Sequence, residues 1–274
     1  MIYNCTPPEK NKPNIDKDLE YHRKIIRATN PEFVGVYDII SEKSRNGCER
    51  PYPHRDHMNA FEFAERLASV VRSDLAVPCG SGLVSVETDI RFIVYRSVKP
   101  NETYDDIVQD IKNHQMQFGK IVIVGNSENP NVKTNQLIRR VLSESTVEVG
   151  CVLLPERKNE MDIFLERVRI GVSFFISQIV IRPEQIRPFL DLLSDSPIRI
   201  WTTIIPMLNE KTVDMYNWLN GTNDVINLTE YPNELLDAKI QDLCFEAISY
   251  VPPSRMIQFI ERFTVSLSAE SATD

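Results

Sequence analysis

Cys48, His54, Asp56 and His57 bring a thiol, two imidazoles and a carboxylate within ten residues, a set that could bind a metal ion. Pro51 and Pro53 keep that stretch out of a helix, where histidines three apart would share a face. A polar loop touching ligand or solvent is the competing reading, and no metal is expected. A second group is amide-rich: Asn4, Asn126 and Gln178, with Glu156, each fall at or near the end of a strand-like run. An amide offers a donor and an acceptor together, which suits the edge of an amide-bearing heterocycle. Local turn formation by Asn4 and Asn126, or satisfaction of Gln178 inside the core, is the structural alternative. Asp38 closes the second strand-like run and is the nearest candidate acid by topology; its alternative is a turn residue. Glu128 and Glu156 are further carboxylate candidates. No GxGxxG, GxSxG or HExxH occurs, and only nine glycines are present, so glycine-rich nucleotide loops are mostly excluded.

These side chains need a scaffold, and hydrophobic periodicity supplies one. Strand-like runs fall at residues 1–6, 33–40, 90–97, 120–124, 147–153, 174–181, 198–205 and 247–251. Amphipathic stretches separate them at 16–28, 58–71, 104–117, 132–143, 159–169, 183–193, 212–219 and 233–245, with a closing helix at 253–263. Apolar, β-branched runs alternating with helices indicate a parallel sheet covered on its outer side. Eight such units in about 250 residues match the arithmetic of a (β/α)8 TIM barrel, the expected fold, with a doubly wound open sheet as the alternative. Residues 1–265 form one barrel domain in this reading and 266–274 a flexible tail. Residues 73–89 carry an extra strand or hairpin before the third barrel strand. The loop 41–57 lies at the C-terminal face, where barrels place their chemistry. Its Arg45, Arg50, Arg55 and two histidines could receive an anionic group; a solvated charged loop is the alternative.

Composition bounds the partners. The 274 residues hold 31 basic and 39 acidic side chains, a net charge of −8. With 42% hydrophobic residues the chain reads as globular, and with no long basic run a nucleic-acid surface is not expected. No run approaches the ~20 apolar residues of a membrane span. Five dispersed cysteines without a CxxC pair, and no signal-peptide pattern, predict a reduced, cytoplasmic protein. Exterior barrel helices could support a homo-oligomer.

Several segments together resemble the methylenetetrahydrofolate reductase family. Asn4-Cys5-Thr6-Pro7-Pro8 is similar to its E-x-x-P-P segment, and Lys120–Pro130 to the strand ending in G-D. Cys151–Glu156 resembles the segment carrying Y-P-E, and Arg167–Gln178 resembles K-V-x-A-G-A-x-F-x-x-T-Q. Ile204–Met207 is similar to P-I-x-P-G-I-x-P without its glycine, and Arg255 matches an arginine near the last helix. The resemblance implies a barrel, a folate or pterin-like ligand, FAD and a nicotinamide cofactor, NAD(P)H. It implies a folate contact at Gln178, with Asn126 and Arg255 also binding substrate. It assigns the flavin to Tyr37, Asn126, Leu154, Glu156 and Lys158, and the reacting centre to Asn4 and Asn126, to which the topology adds Asp38. The departures are chemical. Asn4 stands where the family has its general acid, Asn126 where it has an aspartate, Leu154 where it has a tyrosine, and Lys158 where it has a flavin-binding histidine. An amide cannot deliver a proton, so reductase chemistry requires another acid. A folate-linked oxidoreductase with an altered site is the leading expectation. A non-catalytic folate-binding or partner-binding barrel, and a flavin-independent tetrahydrofolate-linked methyl transferase or demethylase, are the alternatives.

Overall fold

Eight short runs rich in Val, Ile and aromatic residues become parallel strands: β1 (Ile2–Cys5), β2 (Phe33–Val36), β3 (Arg91–Ser97), β4 (Lys120–Val124), β5 (Glu148–Leu153), β6 (Phe174–Ile179), β7 (Arg199–Ile204) and β8 (Leu243–Glu246). In the computed structural model they close into a barrel in chain order, β8 pairing with β1. The chain is a single-domain TIM barrel. Eight helices are present among the described residues: α1 (Ile15–Thr29), α2 (Ala60–Ser73), α3 (Tyr104–His114), α4 (Thr134–Glu144), α5 (Glu160–Arg169), α6 (Pro183–Leu192), α7 (Glu210–Asn220) and α8 (Pro253–Glu270). The structure describes all residues except 13, 41–43, 46–47, 52–54, 74–75, 80–81, 86–89, 206–209, 223–233, 236–239, 241, 247–250 and 271–274.

Local signals explain the element ends. Asn30 adopts a left-handed conformation (φ 40°) to stop α1. Thr103 and Asp106 form a reciprocal capping box at the start of α3. Pro183 occupies the first turn of α6, as its missing N–H permits.

Strand alternation sorts side chains into two cores. Tyr3, Cys5, Val34, Val36, Val94 and Phe245 face the helices, while Ile2, Phe33, Ile93, Tyr95, Val122, Phe174, Trp201 and Cys244 fill the barrel interior. The N-terminal end is closed by aromatic rings capped with cations. Arg91 lies 4.3 Å from the Phe33 ring centroid, Arg199 4.6 Å from Trp201, and Lys120 5.5 Å from both Phe33 and Phe174. Glu32, Glu148 and Asp242 pair with those cations.

Residues 76–79 and 82–85 form the extra hairpin expected before β3. One expectation is corrected. The last barrel strand is Leu243–Glu246, not 247–251, and the helix expected over 233–245 cannot run to its end. The Leu243-Cys244-Phe245-Glu246 segment alternates outward and inward and pairs with both β7 and β1, so closure of the barrel overrides its helical periodicity. Residues 247–250 and most of 233–241 lie outside the described residues, as do His54 and the Pro206–Met207 part of the Ile204–Met207 resemblance segment. The tail expected from Ser266 begins within α8, which runs to Glu270.

Candidate functional site

With the N-terminal end plugged, the barrel opens at its C-terminal mouth into a cavity of about 1600 Å³. Its floor is set by strand parity. Asn4 is fully buried and inward-facing, in register with Gly35 on β2 and Glu246 on β8. A Cβ at position 35 would stand 1.7 Å from Asn4 Oδ1, so the absence of a side chain at Gly35 creates the space that Asn4 fills. The Asn4 Nδ2 amide lies 2.7 Å from the Tyr37 hydroxyl, 3.0 Å from the Tyr95 hydroxyl and 2.9 Å from Cys244 Sγ. The Tyr37 hydroxyl then donates to Glu246 Oε2 at 3.2 Å.

Burial governs the electrostatics of this floor. It holds Tyr37 and Tyr95 well above the usual phenol range and pushes the Cys244 thiol up, so all three keep their protons. Glu246 also moves up with burial, to about 7, opposed only by the Tyr37 hydrogen bond. It is the one floor group that changes charge near neutrality.

The walls carry the amides. On β6 the register to β7 slips between Ile176 and Ile179. Ser177 fills the irregularity: its Oγ accepts from Thr203 N–H at 2.8 Å and its carbonyl from the Thr203 hydroxyl at 2.6 Å. The next residue, Gln178, lines the cavity, with a buried Oε1 that has no hydrogen-bond partner. Asn126 follows β4; its Oδ1 accepts from the Glu128 N–H at 2.9 Å, and its buried Nδ2 has no partner. Both unspent amide atoms therefore belong to the wall of one cavity.

The other expected residues are distributed unevenly. Asp38 lines the cavity, but its carboxylate accepts from Ser97 N–H at 3.0 Å and lies 4.0 Å from buried Arg96. Burial nonetheless raises it above the ordinary carboxylate range. Glu156 lines the cavity and accepts from the Gln185 amide, which also donates to the Tyr216 hydroxyl at 2.9 Å. Leu154 also lines it, with its N–H donated to Glu160 at 2.9 Å, while Lys158 is exposed at the rim. Arg255 is exposed at the start of α8 and is not among the described cavity-lining residues. Of the metal candidates, Cys48 and Asp56 are exposed and His57 is half-buried. Among the described residues no three His, Cys, Asp or Glu side chains could hold a metal ion. The loop instead docks on α7: Trp218 Nε1 donates to the Cys48 carbonyl at 3.1 Å, and Arg50 stacks over the Trp218 ring. No helix among the described residues is long and apolar enough to cross a membrane.

Glu246, Tyr95 and Cys244 are the site residues that sequence reasoning missed. The available signal was the alternation Leu243-Cys244-Phe245-Glu246, which puts a carboxyl at the inward C-terminal end of a strand.

No family model matches the chain, and no curated protein sequence does. Solved structures do. An uncharacterized protein from Clostridium thermocellum, described as binding two copies of 5-methyl-5,6,7,8-tetrahydrofolic acid, superposes with a TM-score of 0.68 at 18% identity, over 96% of this chain and 94% of that one. A GH99 endo-α-mannosidase from Bacteroides thetaiotaomicron matches at TM-score 0.53 and 8% identity, over 96% and 84% of the two chains. A GH113 β-1,4-mannanase matches at 0.52 and 12%, over 89% and 86%. At these identities the likeness is one of fold.

Proposed function

We propose that the chain binds a reduced folate or similar pterin at its C-terminal mouth and acts on it as a one-carbon enzyme resembling methylenetetrahydrofolate reductase, with a rearranged floor. The observation that carries this reading is the pair of unspent amide atoms, the Gln178 acceptor and the Asn126 donor, buried in the wall of one cavity. A buried polar atom without a partner costs about 1–3 kcal/mol, a cost relieved when a ligand supplies the missing bond. A pterin edge offers both N–H donors and a carbonyl acceptor. The folate-binding Clostridium thermocellum protein, similar over nearly the whole chain, supports the same ligand class.

The residues that the resemblance assigns to FAD fit that group poorly. Leu154 has no polar side-chain atom, Lys158 is exposed, and the Tyr37 hydroxyl is engaged by Asn4 and Glu246. The site is therefore read as flavin-independent, with hydride supplied directly by a nicotinamide cofactor. The buried amide at Asn4, where an acid would be needed, favours a second reading as a binding barrel without turnover.

Titration of the purified protein with 5-methyltetrahydrofolate tests the ligand class. Wild type should bind, and Gln178→Ala should weaken binding by about 10- to 100-fold. A wild-type protein that does not bind refutes the reading. Consumption of NADH or NADPH with methylenetetrahydrofolate then separates the enzyme from the binding barrel.

A further inference from the structure

Glu246 ends β8 opposite Asn4, inside the barrel, and lines the cavity. Its Oε2 accepts from Tyr37; among the described residues Oε1 takes no hydrogen bond, and the side chain remains partly accessible from the cavity. The groups around it are Asn4 on β1, Tyr37 beyond β2, Tyr95 on β3, Thr203 on β7 and Cys244 on its own strand. None is a cation. Asp38, the other acidic side chain near the second strand, is tied to Ser97 and lies near Arg96. Among the described residues Glu246 is thus a carboxyl without a counter-ion, one oxygen anchored by Tyr37 and the other without a hydrogen bond, at the cavity wall.

We propose that Glu246 is the proton-donating group of this site: its neutral carboxyl passes a proton to a basic ring nitrogen of the bound pterin-type ligand. This rests on the reading of the mouth as a pterin site. The O–H bond of Glu246 breaks, an N–H bond forms on the ligand, and no electrons change hands. The carboxylate left behind keeps the Tyr37 hydroxyl as its donor, and the new ligand cation becomes its counter-ion. Tyr37, Tyr95 and Cys244 hold their own protons and compete for none.

Calorimetric titration with 5-methyltetrahydrofolate, in buffers of different ionisation enthalpy, counts the protons exchanged on binding. At about pH 6 the wild type should take up almost none from solvent, because Glu246 supplies the proton. At about pH 8.5 it should take up nearly one, and affinity should fall by about tenfold per pH unit above the Glu246 transition. Glu246→Gln keeps the shape and the Tyr37 hydrogen bond; it should lose the proton linkage and bind at least about tenfold more weakly at pH 6. Should that variant fail to fold, infrared spectra of the unliganded wild type follow the neutral carboxyl directly, present near pH 6 and gone near pH 8.5. An ionised carboxyl at pH 6 overturns the proposal without reference to any ligand. Tight binding with no proton linkage overturns the role of Glu246 and leaves the folate reading standing. No binding by the wild type overturns both.

Discussion

Adding one methyl group at Gly35 should break the floor of the site, and the cost should vanish when Asn4 is shortened. The Cβ of Gly35→Ala would stand 1.7 Å from Asn4 Oδ1 and 2.9 Å from its Cγ, far inside contact distance. Neither side can easily yield. The two residues are register partners on adjacent strands of a closed barrel, and the Asn4 amide is held by Tyr37, Tyr95 and Cys244 in fully buried surroundings. Overpacking of this kind costs about 1–3 kcal/mol, and swinging Asn4 away would strand buried hydroxyls at a further ~1–3 kcal/mol. Gly35→Ala should therefore lose at least about 2 kcal/mol in urea denaturation. Asn4→Ala removes the clashing atoms, so the same change in that background should cost less than about 1 kcal/mol, a coupling within the range of touching residues. Additive costs across the four proteins would refute the claim that Gly35 exists to seat Asn4.

Other perturbations test the shell around the mouth. Arg96, 4% exposed, donates to Asp110 at 2.6 Å and to Glu102 at 2.7 Å, with Asp38 at 4.0 Å. Arg96→Met should cost about 2–4 kcal/mol in chemical denaturation, because the partly buried carboxylates of Asp38, Glu102 and Asp110 lose their shared counter-ion. Stability should also depend on pH with two opposing causes. Glu246 rises from 4.5 to about 7 on folding, so the folded state holds its proton more tightly. Stability from this group is complete below about pH 4.5 and is lost, by about 3 kcal/mol, as pH rises through about 7. Glu246→Gln should flatten that decline in urea midpoints measured across the window. His22, buried against the Tyr3 hydroxyl at 2.7 Å, falls from 6.5 to about 3. Its contribution is present above about pH 6.5 and lost as pH falls toward 3; an NMR titration should find the His22 ring neutral at pH 5 in the folded protein.

Much of the fold was legible because burial on both faces leaves an unmistakable pattern. Runs such as Lys120–Val124 and Phe174–Ile179 admit little but a covered parallel strand, and seven of the eight barrel strands stand where periodicity predicts them. The eighth was displaced because Asn233–Phe245 has apolar residues at helical spacing, and local pattern cannot register that a barrel still lacks its closing strand. That displacement hid Glu246 by placing it outside a strand terminus. Asn4, Asn126 and Gln178 were legible as amides at strand ends. Their surroundings were not: Asn4 spends its Nδ2 on the floor groups while its Oδ1 has no partner, and Gln178 and Asn126 each keep an unpartnered atom in the cavity wall.

By itself the sequence determined the alternation of strands and helices, the absence of glycine-rich phosphate loops, and the amide at position 4, since these reside in residue type and spacing. Only the tertiary structure decided where acid chemistry could lie. Closing the barrel sets β8 beside β1 and brings Glu246 next to Asn4 across 242 positions of chain. Burial there, with no cation beside it among the described residues, moves a plain glutamate toward neutrality. Proximity between distant strand ends and the desolvation that follows are properties of the folded barrel, and no local stretch of sequence encodes them.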